Sequence, residues 1–133
     1  MATSGTVLEG RDNVIAPAVY VSGSLDMRLY TNTSNSLSST STLADLTYPS
    51  GSGYATYTLS GTWSSSSGVV TYDDGAVDNV QFTAGDDWTG GDVTGVAITD
   101  GTYLLHFKDL SLGPTTMTTG TVLEIDLSTF ISV

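Results

Sequence analysis

The chain's one histidine, His106, and its one lysine, Lys108, stand two residues apart in the run LLHFKDL at 104–110, with Asp109 beside them. An imidazole, an amine and a carboxylate this close in sequence are raw material for general-base or nucleophile chemistry. The order of the side chains argues against it. The run reads as a strand, in which successive side chains point to opposite faces. Tyr103, Leu105, Phe107 and Asp109 then take one side, and Leu104, His106, Lys108 and Leu110 the other. Asp109 faces away from His106 and does not orient the imidazole. No G-x-S-x-G elbow supplies a serine nucleophile. A triad would need a remote aspartate and one of the many serines, brought together by folding. The expectation is that the chain is not an enzyme and has no catalytic residue. His106 and Lys108 are read as polar residues on the wetter face of a strand, where a lysine also discourages edge-to-edge pairing.

The aspartates are the second place where chemistry could be housed. Asp73, Asp74, Asp78, Asp86, Asp87 and Asp92 crowd into twenty residues, and hard oxygen ligands on loops are what Ca²⁺ takes. Neither YDDGAVDN nor GDDWTGGD has the EF-hand spacing or the glycine-rich calcium-helix repeat. A carboxylate pair for glycoside hydrolysis needs a defined separation that spacing along a chain does not supply. Asx-type turns account for these residues, so no metal and no cofactor is expected. Trp63, at the end of an alternating run, is expected in the core or at its rim. Trp88, in a Gly/Asp turn, is expected to be exposed, and is the residue for a glycan contact if the chain is a carbohydrate-binding module. Asn32-Thr33-Ser34 matches a glycosylation sequon. No G-x-x-x-x-G-K phosphate loop is present.

Composition narrows the function classes. The formal charge is −11, with Arg11, Arg28 and Lys108 the only cations besides His106 when protonated. Nucleic-acid binding depends on cations that neutralise phosphates, and anionic membranes attract the same residues, so neither is an expected partner. With no cysteine, there is no disulfide framework, thiolate metal site or thiol nucleophile. No basic start followed by an apolar run suggests a signal peptide, and no apolar run approaches the roughly 18 residues of a membrane span. Synthesis in a cytoplasm is expected.

The elements that must position these residues are strands. SLDMRLYT (24–31) alternates Leu25, Met27 and Leu29 against Asp26, Arg28 and Tyr30, the period of a half-buried strand. GYATYTLSGTW (53–63), VVTY (69–72), VDNVQFT (77–83), VTGVAIT (93–99), TYLLHFKDL (102–110) and TVLEIDLSTFISV (121–133) follow, with AVYVS (18–22) and a short strand near 6–9 before them. In the last run Thr121, Leu123, Ile125 and Leu127 share a face. Asp74-Gly75 and Asp100-Gly101 are hairpin signals, and SSSSG (64–68) closes a third hairpin. Residues 31–45 form a long polar surface loop, with at most one short helical turn near 42–46. About eight strands joined by turns every 8 to 12 residues predict one all-β domain over 1–133, an antiparallel sandwich or barrel with little or no helix.

Several phrases then fall into a familiar order. LDMRLYTN, SGYATYTLSGTW, VTYDDG, VQFTA and YLLHFKDL…MTTGTVLEIDLS together resemble a broad group of small tailed-phage virion proteins. The likeness runs from Leu25 to Leu127; the serine-rich 34–42 insert and the scarcity of cations depart from it. The resemblance implies a jelly-roll-like β-sandwich and a non-enzymatic structural role. It points to a capsid decoration (cement) protein that stabilises the phage head as a homotrimer, on the capsid exterior, with the major capsid protein and identical subunits as partners. A tail or head-fibre component and a carbohydrate-binding module are the alternatives. Residues 1–20 mix apolar side chains with little alternation, and Val7, Leu8, Val14 and Ile15 are read as an arm that contacts the shell or a sister subunit. Deleting 1–20 is expected to lower occupancy on purified particles; unchanged occupancy would remove the arm from the contact.

Overall fold

The computed structural model describes residues 25–59, 62–66, 69–73, 79–126 and 131–132. The chain is all-β. Among the described residues, in order, come β1 (Leu25–Tyr30), β2 (Tyr57–Leu59), β3 (Thr62–Ser66), β4 (Val69–Asp73), β5 (Asn79–Thr83), β6 (Gly95–Thr99), β7 (Leu104–Asp109), β8 (Val122–Asp126) and β9 (Ile131–Ser132), with one 3₁₀ turn at Leu43–Asp45. Three sheets result, with orders β2-β1-β6-β7, β3-β4-β9 and β5-β8. The expected strand at 18–22, the short one near 6–9, and Val7, Leu8, Val14 and Ile15 lie outside the described residues. Among those described, no helix is long and apolar enough to cross a membrane.

The chain divides into two compact units. The smaller contains the β3-β4-β9 sheet. Here Ser66 lies opposite Val69 and Thr62 opposite Asp73, so β3 and β4 form the hairpin expected around the serine run. Three of those serines, Ser64–Ser66, are themselves strand residues rather than turn. The Asp74-Gly75 hairpin signal lies outside the described residues; among those described, β4 pairs with β3 and β9, and β5 with β8.

The larger unit, Leu25–Leu59 with Gln81–Ile125, carries the four-stranded sheet. Its centre is the antiparallel ladder of β1 on β6, in which Met27 lies opposite Ile98 and Leu29 opposite Val96. Leu25, Met27, Leu29, Val96 and Ile98 are all buried on one face, and each such aliphatic contributes roughly 1.5–3 kcal/mol of transfer free energy. The alternation of Leu25, Met27 and Leu29 is as the sequence predicts. The opposite face is not solvated as a half-buried strand would have it. Tyr30 and Ala97 are buried there under Leu46, with Leu37, Leu43, Tyr48, Leu104 and Phe107 packed around them. All five residues of β6 are consequently buried.

What covers this second face is the polar segment after β1. It is mostly exposed, as expected, yet three leucines spaced along it turn inward. The 3₁₀ turn at Leu43–Asp45 falls where a short turn was anticipated, and the Asp45 carboxylate accepts from the Thr42 amide at 2.7 Å, a reciprocal N-cap arrangement. The ends of the segment are tied to each other. Thr31 N–H donates to the Thr47 carbonyl at 2.8 Å, and Thr47 N–H donates to Asn32 Oδ1 at 2.9 Å.

Two local departures from strict alternation matter. The strand expected from residue 53 begins only at Tyr57, and residues 51–53 turn instead. Gly53, at φ +92°, lies against the Thr83 carbonyl, where any Cβ would collide. In β7 the register shifts between Ile98 and Thr99: Ile98 faces His106 but Thr99 faces Leu104. Leu105 is left as a bulge residue, so Leu104 joins Phe107 on the Tyr30 side instead of sharing a face with His106.

Gly95 sits directly opposite Tyr30. A Cβ at Gly95 would overlap the Tyr30 Cζ and Oη atoms and come within 2.6 Å of the Lys108 carbonyl. Gly95→Ala is therefore expected to destabilise the protein by at least about 2 kcal/mol, through overpacking and displacement of the tyrosine hydroxyl. A denaturation midpoint within experimental error of the parent would refute this reading of the Tyr30–Gly95 pair.

Candidate functional site

Tyr30, Gly95 and Asp109 form a row across three strands, since Gly95 is opposite Tyr30 on β1 and opposite Asp109 on β7. The missing side chain at Gly95 lets the phenol ring lie over its backbone and reach the far strand. Tyr30 Oη–H donates to Asp109 Oδ1 at 2.7 Å, and the other carboxylate oxygen, Oδ2, accepts from the Asn35 amide at 2.8 Å. Asn35 is in the left-handed region at φ 63°, a conformation asparagine tolerates better than most residues. Asp109 thus faces the strap formed by 31–48, away from His106, as the alternation predicts, and its role there is to hold that strap down.

His106 is half-buried and Lys108 exposed. Beside the outermost described strand, β7, lies an open cleft of about 260 Å³ between Ser38, Ser39 and Ser41 of the strap and Leu104–Phe107. The serines come near His106 only because the strap folds back, a juxtaposition that nothing in the local sequence announces. Two of the three hydroxyls are engaged inside the strap. Ser38 N–H donates to Ser41 Oγ at 2.9 Å, and Ser38 Oγ pairs with Thr40 Oγ1 at 2.9 Å. Ser39 is exposed.

The aspartates tie loops together over long sequence distances. Asp86 accepts from the Ser52 amide at 2.9 Å. Asp87 accepts from the Thr119 amide at 2.9 Å and its hydroxyl at 3.2 Å. Asp92 accepts from the Thr116 hydroxyl at 2.8 Å. These bonds cross 34, 32 and 24 residues respectively, so the local Asx turns anticipated for them are replaced by cross-loop ties. A local turn of that kind is present at Asp100, whose Oδ1 accepts from the amides of Thr102 and Tyr103 at 2.8 and 2.7 Å. Those two amide donors hold the Asp100 carboxyl below the usual aspartate range. No group of three or more His, Asp or Glu converges on a metal-sized centre among the described residues. Asp74 and Asp78 lie outside those residues.

Trp88 is half-buried rather than exposed. Its indole N–H donates to the Ser52 carbonyl at 2.8 Å, its ring covers the space a Cβ would take at Gly51, and Tyr54 meets it edge-on at 5.6 Å between centroids. Tyr54 also packs on Phe82 at 6.3 Å and donates its hydroxyl to the Leu29 carbonyl at 3.3 Å. The indole polar edge is therefore occupied within the fold. Arg28 donates Nη1–H to the Tyr48 hydroxyl at 3.2 Å with its guanidinium carbon 5.8 Å from that ring's centre, while its buried Nε has no hydrogen-bond partner. The sequon asparagine, Asn32, donates its amide to the Asp45 carbonyl at 2.7 Å and accepts from Thr47, so its nitrogen is engaged in closing the strap. The side chain of Trp63 is not among those described.

Compared with protein-family profiles, with curated proteins and with solved structures, the chain finds no match.

Burial raises the Tyr30 hydroxyl far above its ordinary value of 10.0, and the Asp109 hydrogen bond and negative charge push in the same direction. A pKa raised on folding stabilises the fold fully below the unfolded value and progressively less above it. The expected result is a loss of roughly 1.4 kcal/mol per pH unit beyond about pH 10, which Tyr30→Phe should flatten, leaving the smaller share of Tyr54, whose hydroxyl is also raised by burial. Denaturant titrations from neutral to alkaline pH check this; identical alkaline limbs in the two proteins would contradict it.

Proposed function

We propose that this protein is a non-enzymatic virion structural protein, a capsid decoration (cement) protein that stabilises a tailed-phage head as a homotrimer on the shell's exterior. The ordered series of phrases between Leu25 and Leu127 suggests the class. One structural observation supports it most directly. Each of the five acids from Asp86 to Asp109 accepts hydrogen bonds that fix a loop or the strap. The residues most able to do chemistry serve as ties, which suits a rigid assembly part better than a reaction centre.

The jelly-roll-like sandwich and the trimer belong to this proposal, being what the resemblance implies. So do the partners: the major capsid protein and identical subunits, with neither nucleic acid nor membrane. A charge of −11 keeps such a protein soluble before assembly. It also requires that docking use apolar and hydrogen-bonded patches, or basic sites on the shell. A tail or head-fibre component is the neighbouring reading. The carbohydrate-binding alternative rests on Trp88, and the engagement of its N–H with Ser52 weighs against it.

The decisive measurement is the protein's copy number relative to the major capsid protein in purified particles. Hundreds of copies is the expected result. A handful per particle would move the protein to the tail or fibre, and none would end the virion assignment.

A further inference from the structure

The strap is fastened in two ways that differ in kind. Its base closes on itself. Thr31 N–H donates to the Thr47 carbonyl at 2.8 Å and Thr31 Oγ1–H to Thr47 Oγ1 at 2.9 Å. The Asn32 side-chain amide donates to the Asp45 carbonyl at 2.7 Å, and Thr47 N–H donates to Asn32 Oδ1 at 2.9 Å. The Thr94 hydroxyl donates to the Asn32 carbonyl and fixes this base beside β6. The span between, 33–46, bonds mostly within itself, through the amides of Ser36 to Thr33, Ser41 to Ser38 and Thr42 to Asp45. Among the described residues, one hydrogen bond joins that span to the sheet, from the Asn35 amide to Asp109 Oδ2 at 2.8 Å.

The apolar hold of the span is also thin. Leu46 is buried, but Leu37 and Leu43 are only half-buried. Beside β7, Ser38, Ser39 and Ser41 stand across an open cleft of about 260 Å³ from Leu104–Phe107. A segment with few buried contacts, whose bonds close mostly on itself, opens at a lower free energy than the sheet beneath it. We infer that residues 33–46 are a hinged flap that opens as a unit about the Thr31–Thr47 base, with Asp109 as its latch. Opening breaks the Asn35 bond and lifts Leu37, Leu43 and Leu46, while the base bonds and the strand ladders stay made. It bares Tyr30, Ala97, Leu104 and Phe107, the apolar face that the closed flap covers. Tyr30 Oη–H holds Asp109 Oδ1 at 2.7 Å from beneath, so the carboxylate that the flap leaves stays oriented for its return. The device lies within the larger unit and stands independently of the virion reading.

Because the chain has no cysteine, a single introduced thiol reports opening without background. Ala97 and Val96 are neighbours on β6 and both are buried, Ala97 under the flap and Val96 on the opposite face. Ala97→Cys and Val96→Cys are made separately in the full chain and labelled with a thiol reagent at several low denaturant concentrations. Ala97→Cys is expected to label at least about tenfold faster than Val96→Cys, at a rate that denaturant barely changes, while Val96→Cys follows global unfolding. Adding Asp109→Ala to each is expected to raise that ratio at least about tenfold further. Equal rates with equal denaturant dependence would mean that position 97 is reached only by global unfolding, and would overturn the flap. A ratio untouched by Asp109→Ala would overturn Asp109 as the latch. Should Ala97→Cys lower the thermal midpoint, Leu46→Cys, which adds no volume, reports the same opening against the same reference.

Discussion

The larger unit hangs on a phenol ring lying across a glycine. Tyr30 can reach Asp109 two strands away only because Gly95 has no side chain between them, and Asp109 can hold Asn35 only while its other oxygen is fixed by Tyr30. The bond joins the three central and outer strands to the strap in one step. The phenol side of the bond is buried and the carboxylate side half-buried, so leaving the tyrosine hydroxyl unpaired is costly. That link adds to the ties at the ends of the strap, Thr31 to Thr47 and Asn32 to Thr47, in holding its leucines over Ala97.

The same device recurs on a smaller scale. A protein with 14 acids and three basic Lys or Arg residues cannot neutralise its carboxylates by ion pairs. The fold gives them backbone amides instead. Asp86, Asp87 and Asp100 each accept from main-chain N–H groups of a turn, and Asp92 from a threonine hydroxyl. Charge-assisted bonds to amides are among the stronger ones available at a surface. They leave net charge unaltered, so the molecule stays strongly anionic while its loops are held.

Trp88 shows how local composition misleads. Its setting, GDDWTGGD, reads as an exposed turn, but the indole closes over Gly51 and donates to Ser52. The backbone this tryptophan covers is that of Gly51, which lies 37 residues earlier in the chain. His106 gives the converse case. Its separation from Asp109 follows from strand alternation alone, whereas its neighbourhood to Ser38, Ser39 and Ser41 arises from the strap.

The sequence by itself determined the all-β class, most strand positions, the inward set Leu25, Met27 and Leu29, the β6–β7 and β3–β4 hairpins, and the short turn near Leu43. Each of these depends on period-two burial or on a turn residue's own backbone preference, and both are written within a few neighbouring positions. Tertiary structure decided what periodicity does not encode. It made the polar 31–48 segment a cover for a second buried face. It shifted the β7 register at Leu105 so that Leu104 changed sides. It turned Asp86, Asp87 and Asp92 from expected local turn formers into ties between distant loops. These outcomes depend on which segments approach one another, and that is settled by the burial of whole faces and by pairs such as Tyr30 with Gly95, whose members lie 65 residues apart.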